Sequence, residues 1–329
     1  CQPSMDNVSM QKYFTLSGLN YAAQHRIVLF ALTLLCYSVI WMVNAALILT
    51  IIVDRKLHEP MYIFLCNLCI SGLYGTVGFY PKFLLDLLSP SHIISYTGCL
   101  LQSFVIHSSS GSDLSILTVM AFDRYVAICY PLMYHSVMTR QRITLLVAFS
   151  WLLPLFCMFS NMMSVFQIKL CGSLIPKLYC SNSLISKLAC NVSMANNSIT
   201  YFNIVIYSFH LLFVLWSYLY LVHKCLGSKE NRKKFSQTCV PHLVSLLNFC
   251  FAVLFDMMYS RFGLGMLPLG MQNFMAIEYL VIPPIVNPLV YGFNLTKIRS
   301  RISGLWRSKK RASCDMLPVK HGIIRDVVS

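Results

Sequence analysis

The chain has 329 residues, of which 57% are hydrophobic and only 11% are charged, and its mean hydropathy is +0.64. Because soluble globular domains carry about 25% charged residues, this chain has too little polar surface to cover a soluble core. The formal net charge of +15 would suit a nucleic-acid-binding protein, but the distribution of the basic residues indicates membrane topology instead. The composition predicts an integral membrane protein.

Seven apolar segments are long enough to cross a bilayer, for which a helix needs about 20 apolar residues. They cover residues 27–53, 62–88, 99–125, 143–163, 199–223, 239–260 and 272–293. Glycines interrupt the second segment and serines the third, which implies that these helices turn one face to other helices or to water rather than to lipid. We predict an all-α membrane protein with an N-terminal segment (1–26), a seven-helix transmembrane bundle (27–293) and a tail (294–329).

Lysine and arginine residues concentrate on one side of these segments. Of the 26, two follow the first segment, three lie at the end of the third and in the loop after it, five follow the fifth, and nine follow the seventh. The positive-inside rule assigns this side to the cytoplasm, which places the N-terminus outside the cell and the C-terminus inside. The basic excess then indicates topology and contact with membrane lipid, and nucleic acid is not an expected partner.

Asn-X-Ser/Thr sequons agree with this orientation. Asn7, Asn191 and Asn196 each begin a sequon on the predicted outer side, so they are candidate glycosylation sites. A fourth sequon, at Asn294, lies at the predicted cytoplasmic end and is expected to stay unmodified.

Four cysteines lie in the predicted outer loops or at a loop edge, namely Cys99, Cys171, Cys180 and Cys190. Four cysteines permit three pairings. We favour Cys99–Cys180 with Cys171–Cys190, because the first bridge would tie the longest loop to the bundle and the second would close a hairpin within that loop. The other two pairings stay open at the level of the sequence.

Beyond the seventh segment, apolar residues recur at helical spacing among arginines, at Ile298, Ile302, Leu305 and Trp306. This pattern predicts a short amphipathic helix on the inner membrane surface. The expected architecture is therefore a seven-transmembrane helix bundle with an extracellular N-terminus and a short cytoplasmic amphipathic helix.

The third segment carries ionisable residues in an apolar setting. Asp113, Leu117, Met120 and Arg124 fall on one stripe of a helix, so Asp113 should face the bundle interior near mid-membrane. Asp113 would then be an ion or proton site or a polar hub, or else a neutral carboxylic acid hydrogen-bonded to hydroxyls. Asp123 adjoins Arg124, and because such a pair is costly in lipid it marks a membrane boundary, a water-filled cavity or a working site.

Prolines and polar residues break the seventh segment near its inner end, at Pro283, Pro284, Asn287, Pro288 and Tyr291. Proline frees helix carbonyls, and the Asn and Tyr side chains offer local partners. A hinge or switch and a static kink both explain this pattern.

These residues resemble the motifs of one receptor superfamily. Asp123-Arg124-Tyr125, the run Asn287 to Tyr291 (Asn-Pro-Leu-Val-Tyr), Asn44 and the Cys99 bridge are similar to those of rhodopsin-like (class A) G-protein-coupled receptors. More narrowly, Met120 to Cys129 (Met-Ala-Phe-Asp-Arg-Tyr-Val-Ala-Ile-Cys) resembles the odorant, or olfactory, receptors. Further motifs similar to that family are Pro60-Met61-Tyr62, Pro131-Leu132, Tyr134-His135, Ser217-Tyr218, the stretch from Lys234 to Leu243 and the three-cysteine second outer loop. The resemblance runs from about residue 25 to residue 300.

The resemblance implies a plasma-membrane receptor in which a small odorant shifts the bundle to an active state. That state would couple to a stimulatory, olfactory-type G protein and raise cyclic AMP. The implied coupling and switch residues are Asp123, Arg124, Tyr125, Tyr218, Asn287, Pro288 and Tyr291. The implied odorant contacts, in the outer halves of the third, fifth and sixth segments, are Ile106, His107, Ser110, Gly111, Tyr207, His210, Cys250, Phe251, Asp256 and Arg261.

Several positions depart from the family pattern. Gly72 stands where an acid is usual in the second segment, while Asp113 stands where a second cation ligand is expected. A sodium ion, the one cofactor considered, would therefore depend on Asp113, with Asn44 in the same polar hub. Val43, Phe249-Cys250 and Phe293 also replace residues common in the family. These departures suggest a divergent branch of the fish type.

Other classes of function fit less well. A transporter or channel would show an internal repeat with paired broken helices, and the chain shows none. An enzyme would need a nucleophile with a base or closely spaced metal ligands, and we predict neither catalytic residues nor a resident metal. A non-olfactory rhodopsin-like receptor is the nearer alternative, and the sequence of the third segment disfavours it.

Overall fold

The structure is a computed structural model that describes residues 13–19, 25–166, 168–191, 193–225, 239–240, 242–251, 278 and 280–290. Its α-helices in chain order are α1 (Arg26–Val53), α2 (Pro60–Leu88), α3 (Tyr96–Cys129), α4 (Tyr134–Val137), α5 (Arg140–Phe166), α6 (Asn182–Lys187), α7 (Met194–Cys225), α8 (His242–Phe251) and α9 (Leu280–Val290). Within the same ranges lie the strands β1 (Tyr13–Leu16), β2 (Ile93–Ser95) and β3 (Leu174–Ile175) and the 3-10 turns Arg55–Leu57 and Pro131–Met133.

Long apolar helices make up most of the part of the chain that the structure describes. In that part, α1, α2, α5 and α7 are each long and apolar enough to cross a membrane, and α3 with the bent segment after it makes a fifth candidate span. These five helices coincide with the first five predicted segments. The shorter helices α8 and α9 belong to the sixth and seventh, whose other residues lie outside the described ranges, as does the predicted tail helix.

The helix α3 extends beyond the predicted limits, 99–125, at both ends. At its start the Ser95 hydroxyl accepts a hydrogen bond of 3.1 Å from the Gly98 backbone N–H, which satisfies a donor that has no partner within the helix. At its end Tyr130 precedes Pro131, and a residue before proline is disfavoured in helical geometry. The chain then turns through 114° into the segment that contains α4.

The centre of the described bundle is α3, which packs against α2, α5 and α7, while α2 also packs against α1. Leu117 and Met120 have no exposed surface, and Asp113 is 7% exposed. The predicted stripe of α3 therefore faces the interior. Because lipid tails are as apolar as leucine, close packing and hydrogen bonds supply most of the attraction between such helices.

Small residues bring α2 and α3 together. The Ser109 hydroxyl donates to the Ser71 carbonyl at 2.7 Å, and the Ser71 hydroxyl donates to the Ser109 carbonyl at 3.1 Å. Gly75 lies so close to Ser109 that a Cβ atom there would overlap its side chain. The glycine and serine interruptions thus turn toward another helix, as predicted from the sequence.

A small sheet covers the end of the bundle that carries Cys99, which we call the disulfide end. Its strand order is β2-β1-β3, with β1 antiparallel to β2 and parallel to β3. The side chains of Phe14 and Leu16 are 0% and 3% exposed and pack in a cluster with Cys99 and Cys180. The strand β1 belongs to the predicted N-terminal segment, so part of that segment packs onto an otherwise helical structure.

One disulfide joins the loop between α5 and α7 to the start of α3, and a second disulfide closes a hairpin within that loop. Cys99 bonds to Cys180 across 81 residues of sequence, and Cys171 bonds to Cys190. An isolated bridge between Leu170 and Ala189 lies beside the second disulfide and completes the predicted hairpin. The structure therefore contains the pairing that the sequence analysis favoured.

Candidate functional site

An ion pair closes the end of α3 opposite to the disulfides. The Asp123 carboxylate has no exposed surface, and its Oδ2 accepts hydrogen bonds from Arg124 Nε, at 3.0 Å, and from Arg124 Nη2. The Tyr134 hydroxyl of α4 donates to the other oxygen, Oδ1, at 2.7 Å. Both oxygens of a buried carboxylate are thus satisfied, which offsets its desolvation.

Tyr134 is a member of this site to which sequence reasoning gave no role. Burial raises the pKa of the Tyr134 phenol, and the Asp123 carboxylate raises it further, so the hydroxyl stays protonated and donates. Its signal in the sequence is the Tyr134-His135 motif, but only the bend after α3 shows that this residue returns to Asp123. We call Asp123, Arg124 and Tyr134 the ion lock.

Tyr218 and His242 form a second polar link near the ion lock. The Tyr218 hydroxyl is hydrogen-bonded to His242 Nδ1, and His242 Nε2 lies 3.0 Å from the Leu117 carbonyl oxygen. A carbonyl can only accept, so Nε2 donates and Nδ1 accepts from Tyr218. The link joins α7, α8 and α3, and His242 is a further residue whose part in the site the sequence motif did not reveal.

Tyr125, the third residue of the Asp-Arg-Tyr motif, packs on a different face of α3. Its ring centroid lies 5.4 Å from that of Trp216 and 5.5 Å from that of Tyr220, both on α7, and 5.8 Å from that of Tyr130. Within the motif, Asp123 and Arg124 thus belong to the ion lock, whereas Tyr125 makes an aromatic contact between α3 and α7.

A cavity lies between α2, α3, α8 and α9. Asp113 lines it, and among the described residues its buried Oδ1 atom has no hydrogen-bond partner. The described lining is Gly72, Gly75, Thr76, Ile106, Ser109, Ser110, Asp113, Phe249, Leu280, Pro283 and Pro284. A mostly apolar cavity with a few convergent polar groups is the usual form of a small-molecule site.

Asn44 replaces a hydrogen bond that the proline-rich helix α9 lacks. Pro288 has no N–H, so the carbonyl of Pro284, four residues earlier, has no donor within the helix. Asn44 Nδ2 donates to that carbonyl at 2.9 Å and to the Ile40 carbonyl at 2.8 Å. Among the described residues the buried Asn287 Oδ1 atom has no partner, and Tyr291 lies outside them. The hydrogen bond from Asn44 therefore joins the proline-rich part of α9 to α1.

The described residues around Asp113 offer oxygen atoms at the place where the sequence analysis considered a sodium ion. The described residues contain no group of three or more His, Cys, Asp or Glu side chains in metal-binding proximity. Asp113 supplies one carboxylate, and Thr76, Ser109 and Ser110 line the same cavity with hydroxyl groups, which are the oxygen ligands that hard cations prefer. A Cβ atom on Gly72 would point toward Pro284 at 3.7 Å, so the position of the missing acid also faces this cavity.

The predicted odorant contacts do not all meet at this cavity. Ile106 and Ser110 line it. His107 Nδ1 lies 2.8 Å from the Ser103 carbonyl within α3. Gly111 instead faces the hydroxyl of Tyr207, because a Cβ atom at Gly111 would lie only 2.5 Å from that oxygen.

Three further predicted contacts lie on the two helices that flank α3. His210 Nε2 lies 3.4 Å from the Ser115 hydroxyl of α3, and its Nδ1 lies 2.9 Å from the Ile206 carbonyl of its own helix. Cys250 is half-buried. Phe251 is 60% exposed, whereas Phe249 is 2% exposed, because residues two apart on a helix point to opposite sides. Phe249 therefore lines the cavity, whereas Phe251 stays a predicted odorant contact that lies outside the described lining.

The remaining predicted positions can be placed only in part. Asp256, Arg261 and Asn7 lie outside the described residues. Of the two described sequon asparagines, Asn191 is exposed and Asn196 is 6% exposed.

Comparison with known proteins identifies the family. A family profile described as "Olfactory receptor" matches residues 33–309. Over 303 residues the chain is 32% identical to "Olfactory receptor 10G4" of Homo sapiens, covering 91% of this chain and 96% of that protein. It is 33% identical over 315 residues to "Olfactory receptor 51E1" of Homo sapiens, covering 93% and 97%, and 30% identical over 315 residues to "Olfactory receptor-like protein OLF4" of Canis lupus familiaris, covering 93% and 99%.

These matches exclude the transporter, channel and enzyme alternatives, because they span nearly the whole chain and its relatives. They also agree with the apolar helices that the structure contains, which are those of a multi-pass plasma-membrane protein. The chain belongs to the olfactory receptor family of G-protein-coupled receptors.

Proposed function

We propose that this receptor binds a small odorant within a seven-helix bundle and then activates a stimulatory, olfactory-type G protein, which raises cyclic AMP. The N-terminus would lie outside the cell and the C-terminus in the cytoplasm. The basic residues on one side of the spans support this orientation. The disulfides at the opposite end support it as well, since disulfides persist in oxidising compartments.

The observation that carries the proposal is the ion lock at the end of α3. The hydrogen bonds of both Asp123 oxygens to Arg124 and Tyr134 support a closed state that these contacts would stabilise. An odorant that binds an open state more tightly shifts the equilibrium by its difference in affinity. Arg124 would then leave Asp123 for Tyr218 and Tyr291, and the space vacated would accept a helix of the G protein in a groove.

The cavity beside Asp113 is the described part of the proposed odorant pocket. Polar groups such as Ser110 and Asp113 in a mostly apolar lining favour a small odorant with one polar function. Acids, amines and amino acids are the classes to screen first.

We also propose that a sodium ion binds beside Asp113 and favours the closed state. Asp113→Asn should abolish the effect of sodium on odorant potency in membranes while odorant binding itself persists. A potency that does not change between sodium and N-methylglucamine buffers in the wild-type receptor would refute the ion site, and Asp113 would then be a neutral acid.

The decisive test of coupling is Arg124→Ala, measured with a cyclic-AMP reporter against a panel of soluble acids, amines and amino acids. We expect loss of the odorant response, while Tyr134 still donates to Asp123 and lets part of the receptor reach the surface. Arg140→Ala, which changes an exposed arginine at the same end, is the matched control and should respond normally. A normal response of Arg124→Ala would refute the coupling mechanism.

A further inference from the structure

Two sequons, one at the end of the loop between α5 and α7 and one in the first turn of α7, have asparagines in opposite environments. Asn191 is exposed and follows Cys190, which is bonded to Cys171. Asn196 is five positions further along, within the first turn of α7, and is 6% exposed. The two asparagines have the same sequence motif but differ in the exposure of their side chains.

Both polar atoms of the Asn196 side chain are engaged by neighbouring helices. Its Oδ1 accepts a hydrogen bond of 2.9 Å from the Ser164 hydroxyl of α5. Its Nδ2 donates a hydrogen bond of 2.8 Å to the Ser186 hydroxyl of α6. Asn196 thus joins α5, α6 and α7, and its Nδ2 atom points between helices where a bulky sugar has no room.

The backbone of Asn196 is held as well. Its N–H lies 3.3 Å from the Ser193 hydroxyl, which caps the start of α7. Ser193 is also the third residue of the Asn191 sequon. Asn191 itself lies before the helix, in a bend on the surface, which is where N-linked glycans are tolerated.

We propose that this loop carries a single N-linked glycan, on Asn191, and that Asn196 stays unmodified because its amide joins three helices. The donor is a lipid pyrophosphate-linked oligosaccharide. The bond between its anomeric carbon and the pyrophosphate oxygen breaks, Asn191 Nδ2 bonds to that carbon and gives up a proton, and the lipid pyrophosphate leaves. The proposal rests on the proposed orientation, which places this loop on the outer side.

The test uses the full chain with Asn7→Gln, expressed in mammalian cells and collected by surface biotinylation. Gel mobility is compared before and after removal of N-glycans by peptide-N-glycosidase F. We expect a shift of one glycan in this background, loss of the shift on adding Asn191→Gln, and an unchanged shift on adding Ser198→Ala. Ser198 is exposed and completes the second sequon, so its loss tests modification of Asn196 without altering Asn196.

A second variant controls for the possibility that Asn191→Gln misfolds. Val192→Pro abolishes the sequon because proline is not accepted at its middle position, and it leaves Asn191 and Ser193 in place. The same loss of one glycan is expected. A shift that persists in either variant, or that disappears with Ser198→Ala, would overturn the proposal.

The structural role of Asn196 is measured separately in purified receptor. Asn196→Ala removes two side-chain hydrogen bonds and should lower the thermal unfolding midpoint by about 3–6 °C, whereas Ser198→Ala should leave it unchanged. Equal midpoints for the two variants would overturn this role.

Failure of the glycan proposal can be told apart from failure of the proposed orientation. If the receptor without Asn7→Gln shows one glycan and the receptor with it shows none, the N-terminus is outside and Asn191 is unmodified, which overturns only the present inference. If neither form shows a shift, the proposed orientation fails together with it.

Discussion

At the scale of single residues, the ion lock explains how a buried charge is tolerated at the end of α3. Removing one partner of a buried ion pair typically costs about 3–5 kcal/mol because the other charge is left without compensation. Here Asp123 has two partners on two elements, Arg124 and Tyr134. The contact from Tyr134 allows the two contributions to be separated by experiment.

Tyr134→Phe should raise basal cyclic AMP, because it removes the hydrogen bond to Asp123 Oδ1 and leaves the Arg124 contact in place. A neutral side-chain donor to a carboxylate contributes about 1.5–3 kcal/mol, so the closed state should lose a large part of its advantage. Basal reporter activity normalised to surface receptor is the measurement. His135→Ala, a change at the adjacent exposed residue, is the control, and equal basal activity of the two variants would contradict the prediction.

The hydrogen bond from Asn44 to Pro284 suggests a second test at this scale. Asn44→Ala should destabilise the receptor by about 1–3 kcal/mol, because a buried carbonyl loses its donor. Pro288→Ala restores an N–H four residues after Pro284, so Asn44→Ala should cost less in that background. Thermal unfolding of the two single variants and the double variant measures the coupling, and additive effects would argue against this account.

At the scale of helices, the contact between α2 and α3 depends on the absence of side chains. Gly75 has no space for a Cβ atom beside Ser109, whereas the nearest atom to a Cβ on Gly72 is 3.7 Å away. The absence of a side chain therefore has a different structural role at each of these two glycines, which lie one turn apart on α2. The first permits close packing, and the second leaves space in the cavity.

Gly75→Ala should lower the free energy of unfolding by about 1–3 kcal/mol, as overpacking does in well-packed interiors. Gly72→Ala is the matched control and should have little effect on stability. Both variants can be compared by the thermal midpoint of purified receptor. Equal losses for the two would show that the helices separate easily at Gly75.

The sequence predicted the helices well and their contacts only in part. The stripe through Asp113, Leu117 and Met120 was evident because helical spacing alone determines a shared face. The contact of Tyr134 with Asp123 and that of Asn44 with Pro284 were not, since they depend on the turn after α3 and on where α1 meets α9. The motif also did not indicate that Phe249 lines the cavity, because the direction of a side chain depends on the rotation of its helix.

At the scale of the whole molecule, the strand β1 completes the disulfide end. Membrane-spanning helices are recognisable in a sequence because each needs about 20 apolar residues. The strand β1 has only four residues, and its partners β2 and β3 are distant in sequence. Its pattern of exposure alternates, with Tyr13 60% exposed and Phe14 fully buried. A strand this short is recognisable only once its partners are in place.

Phe14→Ala should reduce surface delivery, because truncating a buried phenylalanine costs about 3–5 kcal/mol and the cluster it leaves includes Cys99 and Cys180. Tyr13→Ala, at the adjacent exposed position, should behave like the wild type. Surface staining relative to total receptor measures both. Normal delivery of Phe14→Ala would show that the sheet is dispensable.

The position of β1 between two later strands also sets an order of events in biosynthesis. The ribosome makes β1 before α1, yet Ser17 is hydrogen-bonded to Ile175, 158 residues further along the chain. The Phe14 side chain therefore stays exposed until the first four spans have been inserted and β3 has been made. Long-range pairings form only after the intervening chain is in place. Of the three strands β1 leaves the ribosome first, and it pairs with β3 only after the first four spans are made, so the closure of this sheet comes late in the assembly of the receptor.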